Sequence, residues 1–98
     1  MNVETKNGIV IYTPRSFEDI FEITNELAEV TKCVIIDCSY IRVLPSRFIS
    51  VAINKKHCVV LVGISYTAAN IFKTINVDKD IVVRDSIEAA IKCIEGKV

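Results

Sequence analysis

Three short apolar runs constrain the fold of this chain more than any other feature. They are Gly8–Tyr12, Cys33–Ile36 and Cys58–Val62. The second and third are apolar at successive positions, which is typical of strands that are covered on both faces. Segments with apolar residues at helical spacing separate the runs, so strands and helices are predicted to alternate. That order predicts a mostly parallel sheet covered by helices.

Helix boundaries are predicted from capping residues. Ser16 and Ser65 each precede a segment with helical spacing, and a serine in that place can accept a hydrogen bond from the first helical turn. Asp85-Ser86-Ile87-Glu88 has the pattern of a capping box at the start of a last helix. Pro45 suits the first turn of a further helix, because its missing N–H costs nothing there. With a short strand at Ile81–Val83, we expect one α/β domain with roughly four strands in a mostly parallel (mixed) sheet and about four helices.

The helix that follows Ser16 is predicted to bury one face and to turn its glutamates towards water. The residues expected on the inward face are Phe17, Ile20, Phe21, Thr24, Leu27 and Ala28. In the helix that follows Ser65, Ile75 is expected to point inward as well.

Length and composition exclude several classes of protein. Ninety-eight residues, of which 51% are hydrophobic, allow a single domain over residues 1–98 with its own core. No apolar run reaches the roughly 18–20 residues that cross a bilayer, and the polar first residues are not those of a signal peptide. We therefore expect a cytoplasmic protein with no membrane span.

The cysteines and the histidine do not have the spacing of a metal site. No Cys-x-x-Cys occurs, and His57 is the one histidine; we expect no metal and no chemical role for His57. The four cysteines fall in apolar segments and are expected to be reduced core residues, since a free cysteine packs as a small hydrophobe. They are Cys33, Cys38, Cys58 and Cys93.

Charge is balanced overall but uneven along the chain. Residues 1–37 carry three basic and seven acidic side chains, whereas residues 38–77 carry five basic side chains and none that is acidic. A basic middle segment in a neutral chain favours a steered protein contact or a weak anion site over nucleic-acid binding, which needs a strongly basic face. A set of solvated surface charges is the alternative interpretation.

A search for catalytic patterns finds one candidate position. Asp37 follows a predicted central strand, and ligands of open α/β sheets bind at the carboxyl ends of strands. An isolated carboxylate there also serves as an acceptor for loop N–H groups. Because no second acid, nucleophile elbow or glycine-rich phosphate loop accompanies Asp37, we expect no enzyme, no catalytic residue and no cofactor. A small-molecule or nucleotide-binding module at Asp37 remains an alternative.

Several segments resemble the signature of STAS domains, the family of anti-sigma factor antagonists. Asp37-Cys38-Ser39 is similar to the Asp-Leu-Ser that ends the family's second conserved strand. Val60–Ser65 and Ile71–Ile81 resemble its third strand and the end of its next helix, and Asp85–Ile91 resembles the start of its closing helix. The likeness covers nearly the whole chain, and it implies the STAS fold.

The phosphorylation motif of the family is altered in this chain. Its Asp-Ser-Ser-Gly corresponds by spacing to Pro45-Ser46-Arg47-Phe48. The acceptor serine is retained as Ser46, whereas proline, arginine and phenylalanine replace its neighbours. The bulky Phe48 would change the surface that a kinase approaches, although a phenylalanine is more often a core residue.

The resemblance implies a regulatory domain that binds a protein partner such as an anti-sigma factor with serine-kinase activity. The loop and helix over residues 39–56 would form the contact, and phosphorylation of Ser46 would weaken it. Residues expected at this contact are Asp37, Ser39, Arg42, Ser46 and Arg47. For Ser46 two alternatives stay open, a local hydrogen bond to the backbone and an unphosphorylated partner contact.

Two other interpretations compete with a phosphorylation switch. A STAS domain without the switch would be a fixed subunit of a stressosome-like scaffold or of a lipid-transport complex. A weaker resemblance links Thr13–Asp19 and Glu22-Ile23 to the start of the cell-division protein SepF, although Ser16 in that segment is explained as a helix cap. The oligomeric state stays undetermined at this level.

Overall fold

The computed structural model of the chain describes residues 1–29, 32–56 and 58–96. The elements in chain order are β1 (Asn2–Lys6), β2 (Ile9–Thr13), α1 (Phe17–Leu27), β3 (Val34–Asp37), α2 (Ser46–Asn54), β4 (Val59–Val62), α3 (Tyr66–Thr74), β5 (Val82–Arg84) and α4 (Ile87–Glu95). The predicted α/β architecture is confirmed. His57 lies outside the described residues.

The sheet runs in the order β1-β2-β3-β4-β5. β1 pairs antiparallel with β2, and the neighbouring strands from β2 to β5 pair in parallel. The prediction of four strands missed β1, because all five of its residues are exposed and show no apolar pattern. The turn Asn7-Gly8 has φ angles of 55° and 77°, the left-handed conformation that joins antiparallel strands through two residues. A polar β1 with charged side chains protects the sheet edge from pairing.

All three crossover helices lie on one face of the sheet. Each parallel strand is added on the same side of the preceding strand, so right-handed crossovers place α1, α2 and α3 together. The last helix, α4, follows β5 and covers the opposite face, where it packs on β3, β4 and β5. Within the described ranges no helix has the length and apolar character needed to cross a membrane.

The two faces have separate cores. On the α1–α3 face Ile36 and Leu61 pack against helix residues such as Phe48, whereas Ile35 and Val60 pack against α4 on the other face. Alternation along a buried strand therefore sends neighbouring side chains into different cores. Ile35, Ile36, Phe48 and Leu61 are all at most 1% exposed, in agreement with the predicted strands covered on both faces.

Helix α1 differs from the predicted inward face. Ile20, Ile23, Thr24 and Leu27 are buried, whereas Phe17 and Phe21 are 57% and 52% exposed. The Thr24 hydroxyl tolerates burial because it donates a 2.7 Å hydrogen bond to the Ile20 carbonyl. The phenylalanines lie on the flank of the helix, beyond the stripe that the sheet covers. The inward positions expected for Ala28 and Ile75 are also wrong, since both residues are exposed.

The burial of the cysteines and the surface position of Glu26 can also be compared with the predictions from the sequence. Cys38 is buried, as expected for a core cysteine, and Cys33, Cys58 and Cys93 are half-buried. Glu26 lies at the surface as predicted, yet its carboxylate accepts a 2.8 Å hydrogen bond from the Tyr12 hydroxyl. This bond links α1 to β2.

Comparison of a buried phenylalanine, Phe48, with a half-exposed one, Phe21, tests the described packing of the core. Phe48→Ala should lower the free energy of unfolding by about 3–5 kcal/mol, because it leaves a cavity beneath α2. Phe21→Ala removes the same atoms from a half-exposed position and should cost below about 1 kcal/mol. Urea denaturation followed by circular dichroism measures both, and similar losses for the two variants would contradict the described packing.

Candidate functional site

The carboxyl end of β3 forms a short hydrogen-bonded turn. Asp37 Oδ1 accepts hydrogen bonds from the Ser39 N–H at 3.1 Å and from the Ser39 hydroxyl at 2.5 Å. An aspartate that accepts from the backbone two residues later is a common turn device. Two residues expected at the partner contact are thus bonded to each other, and Asp37 acts here as the acceptor for loop donors.

Gly63 allows the end of β4 to approach this turn. Its φ is +67°, in the left-handed region that favours glycine. A Cβ at this position would collide with the Ser39 hydroxyl oxygen and would lie 3.1 Å from Asp37 Oδ1. Both the backbone conformation and the available space therefore require glycine.

The loop between β3 and α2 is held by the core and by α3. The Cys38 N–H donates to the Val62 carbonyl at 2.8 Å, and the Ser65 hydroxyl donates to the Arg42 carbonyl at 2.6 Å. Ser65 also caps α3, since its hydroxyl oxygen accepts from the Ala68 N–H at 3.0 Å. The Ser65 side chain therefore both caps α3 and attaches the β3–α2 loop to it.

This loop has an inner and an outer face. Ile41 and Leu44 are buried in the α1–α3 core, whereas Tyr40 and Val43 are 56% and 44% exposed and Arg42 is also exposed. Because two buried residues anchor the loop, it presents its outer residues from a fixed backbone.

Helix α2 begins without a side-chain cap. The serines before α1, α3 and α4 each accept a hydrogen bond from the first turn, as predicted for Ser16 and Ser65, but Pro45 precedes α2 and offers no such bond. At α4 the cap is Ser86 and not Asp85, with which the predicted capping box begins. The first turn of α2 also contains no acidic residue. Its first N–H groups are therefore left for another acceptor.

Ser46 and Arg47 both lie exposed at the start of α2. The Ser46 hydroxyl has no hydrogen-bond partner among residues 1–29, 32–56 and 58–96, so the local backbone bond allowed by the sequence is not formed there. Phe48 is fully buried. The interpretation of Phe48 as a core residue is therefore confirmed, and its side chain is not part of the exposed surface beside Ser46.

The structure separates the predicted contact residues into different surroundings. Asp37 and Ser39 line an open cleft of about 730 Å³ beside the start of α4, whereas Arg42 lines a smaller cavity of about 280 Å³ beside the start of α1. Ser46 and Arg47 line neither cavity. The five contact residues predicted from the sequence are close together along the chain, but they do not line one pocket.

The larger cleft has an acidic lining. It carries four carboxylates, from Glu4, Asp37, Asp85 and Glu88, and a single amino group, from Lys6. Such a lining repels the phosphates of a nucleotide. No group of three or more histidine, cysteine or acidic side chains in the described parts of the chain is arranged to hold a metal ion. The cleft thus offers no support for the nucleotide-binding alternative.

The smaller cavity contains residues that the sequence analysis did not select. Arg15, Phe17, Tyr40 and Val43 line it together with Arg42. The Arg15 guanidinium lies 4.1 Å from the centre of the Tyr40 ring, a cation–π contact. Phe17 was missed because helical spacing assigned it to the core. The polar Tyr40 and Arg42 on either side of Ile41 are the signal in the sequence that could have indicated an exposed loop face.

No family model matches the chain, and no curated protein sequence matches it significantly. Several solved structures match the chain in fold. The crystal structure of TM1081 from Thermotoga maritima, provisionally assigned as an anti-sigma factor antagonist, has a TM-score of 0.73 at 14% identity and covers 96% of this chain and 93% of that chain. The NMR structure of TM1081 has a TM-score of 0.71 at 15% identity, covering 95% and 86%.

A chain from the structure of the stressosome, described as a signal integration and transduction hub, has a TM-score of 0.67 at 15% identity. The match covers 98% of this chain and 97% of that chain. The chain has the STAS fold. The fold implied by the resemblance in sequence is thereby confirmed, with the loop and the start of α2 placed at one end of a STAS sheet.

The close approach at Gly63 can be tested against a second glycine. Gly8→Ala introduces a Cβ at positive φ with no atom within 4 Å, and it should cost about 1–2 kcal/mol of unfolding free energy. Gly63→Ala adds the collision with Ser39 and should cost about 2–4 kcal/mol. Thermal and urea unfolding measure both changes.

A double variant separates crowding from backbone strain at Gly63. Ser39→Ala removes the colliding oxygen, so the combination with Gly63→Ala should lose less stability than the sum of the single changes. Strict additivity would show that only the backbone conformation requires glycine.

Cys38 provides a test that depends on pH. Burial, and then the charge of Asp37, raises the pKa of its thiol from 9.0 to about 12. Since the thiol ionises near pH 9 in the unfolded chain but only near pH 12 in this STAS fold, its contribution to stability is complete below pH 9 and is lost as pH rises towards 12. Urea denaturation at a series of alkaline pH values should therefore show a shallower loss of stability for Cys38→Ala. An unchanged slope would contradict the burial of this thiol.

Proposed function

We propose that this STAS-fold domain is a cytoplasmic regulatory protein that acts by binding a protein partner, as anti-sigma factor antagonists do, and not an enzyme. The observation that carries the proposal is the exposed Ser46 hydroxyl at the uncapped start of α2, next to a loop held by the core. The fold of the structural neighbours supports a regulatory role. The contact surface comprises the loop and helix over residues 39–56.

A phosphate on Ser46 changes the charge of this surface. It adds close to two negative charges at the amino end of α2, where the helix dipole and the free N–H groups favour an anion. The exposed guanidinium of Arg47 follows directly in the chain and adds positive potential. In complex with an acidic or apolar partner, the same phosphate introduces repulsion and a desolvation penalty, so phosphorylation weakens binding.

Phosphate transfer is the direct test. The full chain is incubated with the anti-sigma kinase of its own organism and ATP, and the product is examined by intact-mass and fragment analysis. We expect one phosphate, located on Ser46 and absent from Ser46→Ala. Ser50 is an exposed serine one turn further along α2, so Ser50→Ala is the matched control and should still be phosphorylated. Absence of phosphate from Ser46 would overturn the switch.

A fixed scaffold subunit is the second candidate function. The likeness to a stressosome chain over 97% of that chain favours it, as does the replacement of the residues around Ser46 by proline and arginine. Under this alternative, Ser46→Asp and Ser46→Ala bind a partner with equal affinity, measured by calorimetry. Under the switch, the aspartate variant binds more weakly, because it carries part of the phosphate's charge.

A further inference from the structure

The cavity between the start of α1 and the β3–α2 loop has the character of a binding surface. We define the aromatic–arginine surface as Arg15, Phe17, Tyr40, Arg42 and Val43, which line the cavity of about 280 Å³ with Ser16 and Ile41. Single exposed apolar residues are ordinary, but a contiguous group of them around a depression marks an interaction site. Its three apolar members are between 44% and 57% exposed.

Charge defines the kind of partner. Two arginines and no carboxylate are among the described residues that line the cavity. Asp19, four residues after Arg15, accepts a hydrogen bond from the Arg15 backbone N–H at 2.9 Å, so its own geometry is set by the start of α1. Neither Arg15 nor Arg42 forms an ion pair with any side chain in the part of the chain that the structure describes. Their guanidinium groups are available for carboxylates of a partner.

The cavity is large enough for one side chain of a partner. Its volume of about 280 Å³ lies at the lower limit of the roughly 300–1,000 Å³ that is usual for ligand pockets. One large apolar side chain, inserted beside Tyr40 and Phe17, fits that scale. Aromatic residues and arginine are also the residues that contribute most to protein–protein contacts.

The surface is preorganised by the core beneath it. The hydrogen bond from Ser65 to the Arg42 carbonyl and the buried Ile41 hold the loop, and the stacking of Arg15 on Tyr40 connects the loop with the start of α1. Binding therefore requires little ordering of the loop, which reduces the entropic cost of association.

We propose that the aromatic–arginine surface binds an acidic segment of a protein partner, which inserts one large apolar side chain into the cavity and places carboxylates against Arg15 and Arg42. This inference rests on the proposed partner-binding function and specifies the chemistry of the partner. The surface lies on the loop that leads directly into Ser46, so an acidic occupant is the kind of partner that a phosphate on Ser46 repels.

Selection from a random peptide display library tests the chemistry without knowledge of the natural partner. The folded, unphosphorylated full chain is the bait, and a synthetic copy of the most enriched peptide is then titrated by calorimetry. We expect enriched peptides to carry aspartate or glutamate around an aromatic residue or leucine, and binding to weaken as salt increases. Enrichment of basic or neutral peptides, or no enrichment, would overturn the proposal.

Matched variants locate the binding site of the selected peptide. Phe17→Ala and Arg42→Glu should each weaken binding by about tenfold or more. Phe21→Ala and Arg84→Glu alter an exposed phenylalanine and an exposed arginine outside the cavity and should leave the affinity within about twofold. Equal affinity for Arg42→Glu and Arg84→Glu would place the peptide elsewhere. Circular dichroism verifies that all four variants, each at an exposed position, remain folded.

Failure of this inference is distinguishable from failure of the switch. If acidic peptides bind but the kinase does not phosphorylate the chain, the proposal for the aromatic–arginine surface stands and only the role of Ser46 is overturned. If Ser46 is phosphorylated but the selection does not enrich acidic peptides, the switch stands and the proposal for the aromatic–arginine surface is overturned.

Discussion

Burial of β3 and β4 on both faces is the constraint on which the rest of this structure depends. Side chains of both strands alternate between two cores, and a strand in that position is stable only when helices cover both faces of the sheet. Right-handed crossovers place α1, α2 and α3 on one face, which leaves α4 to close the other. The carboxyl ends of the parallel strands consequently share one end of the domain, and the exposed loop, the Asp37 turn and the start of α2 all follow from that placement.

The surface at this end depends on the core for its shape. Ile41 and Leu44 are buried below the loop, while Gly63 lets the end of β4 come close enough to support the Asp37 turn. Ser65 joins the loop to α3 through one hydroxyl. The exposed tyrosine, valine and arginine side chains are therefore presented from a backbone that is already held in place. Helix α2 contributes its free amino end rather than a capped one.

Patterns of apolar residues were sufficient for the parallel strands and for the helix starts. Cys33–Ile36 and Cys58–Val62 were predicted within one residue of β3 and β4, and Ser16 and Ser65 cap their helices as expected. β1 escaped prediction because an exposed edge strand has no apolar alternation to reveal it. Phe17 was assigned to the core because helical spacing identifies a stripe but not its width, and only the neighbouring elements determine which flank is covered.

The sequence by itself determined the α/β class, the likeness to STAS domains and the retained serine at the start of α2, because these depend on short-range periodicity, capping and motif spacing. Only the tertiary structure decided which of the candidate residues share a pocket. Asp37 and Ser39 face an acidic cleft near α4, whereas Arg42 joins Arg15 and Phe17 from α1 at a separate cavity. Arg15 and Arg42 are far apart along the chain and meet because the crossover from β2 to β3 brings the start of α1 beside the β3–α2 loop. Local pattern carries no information about that juxtaposition.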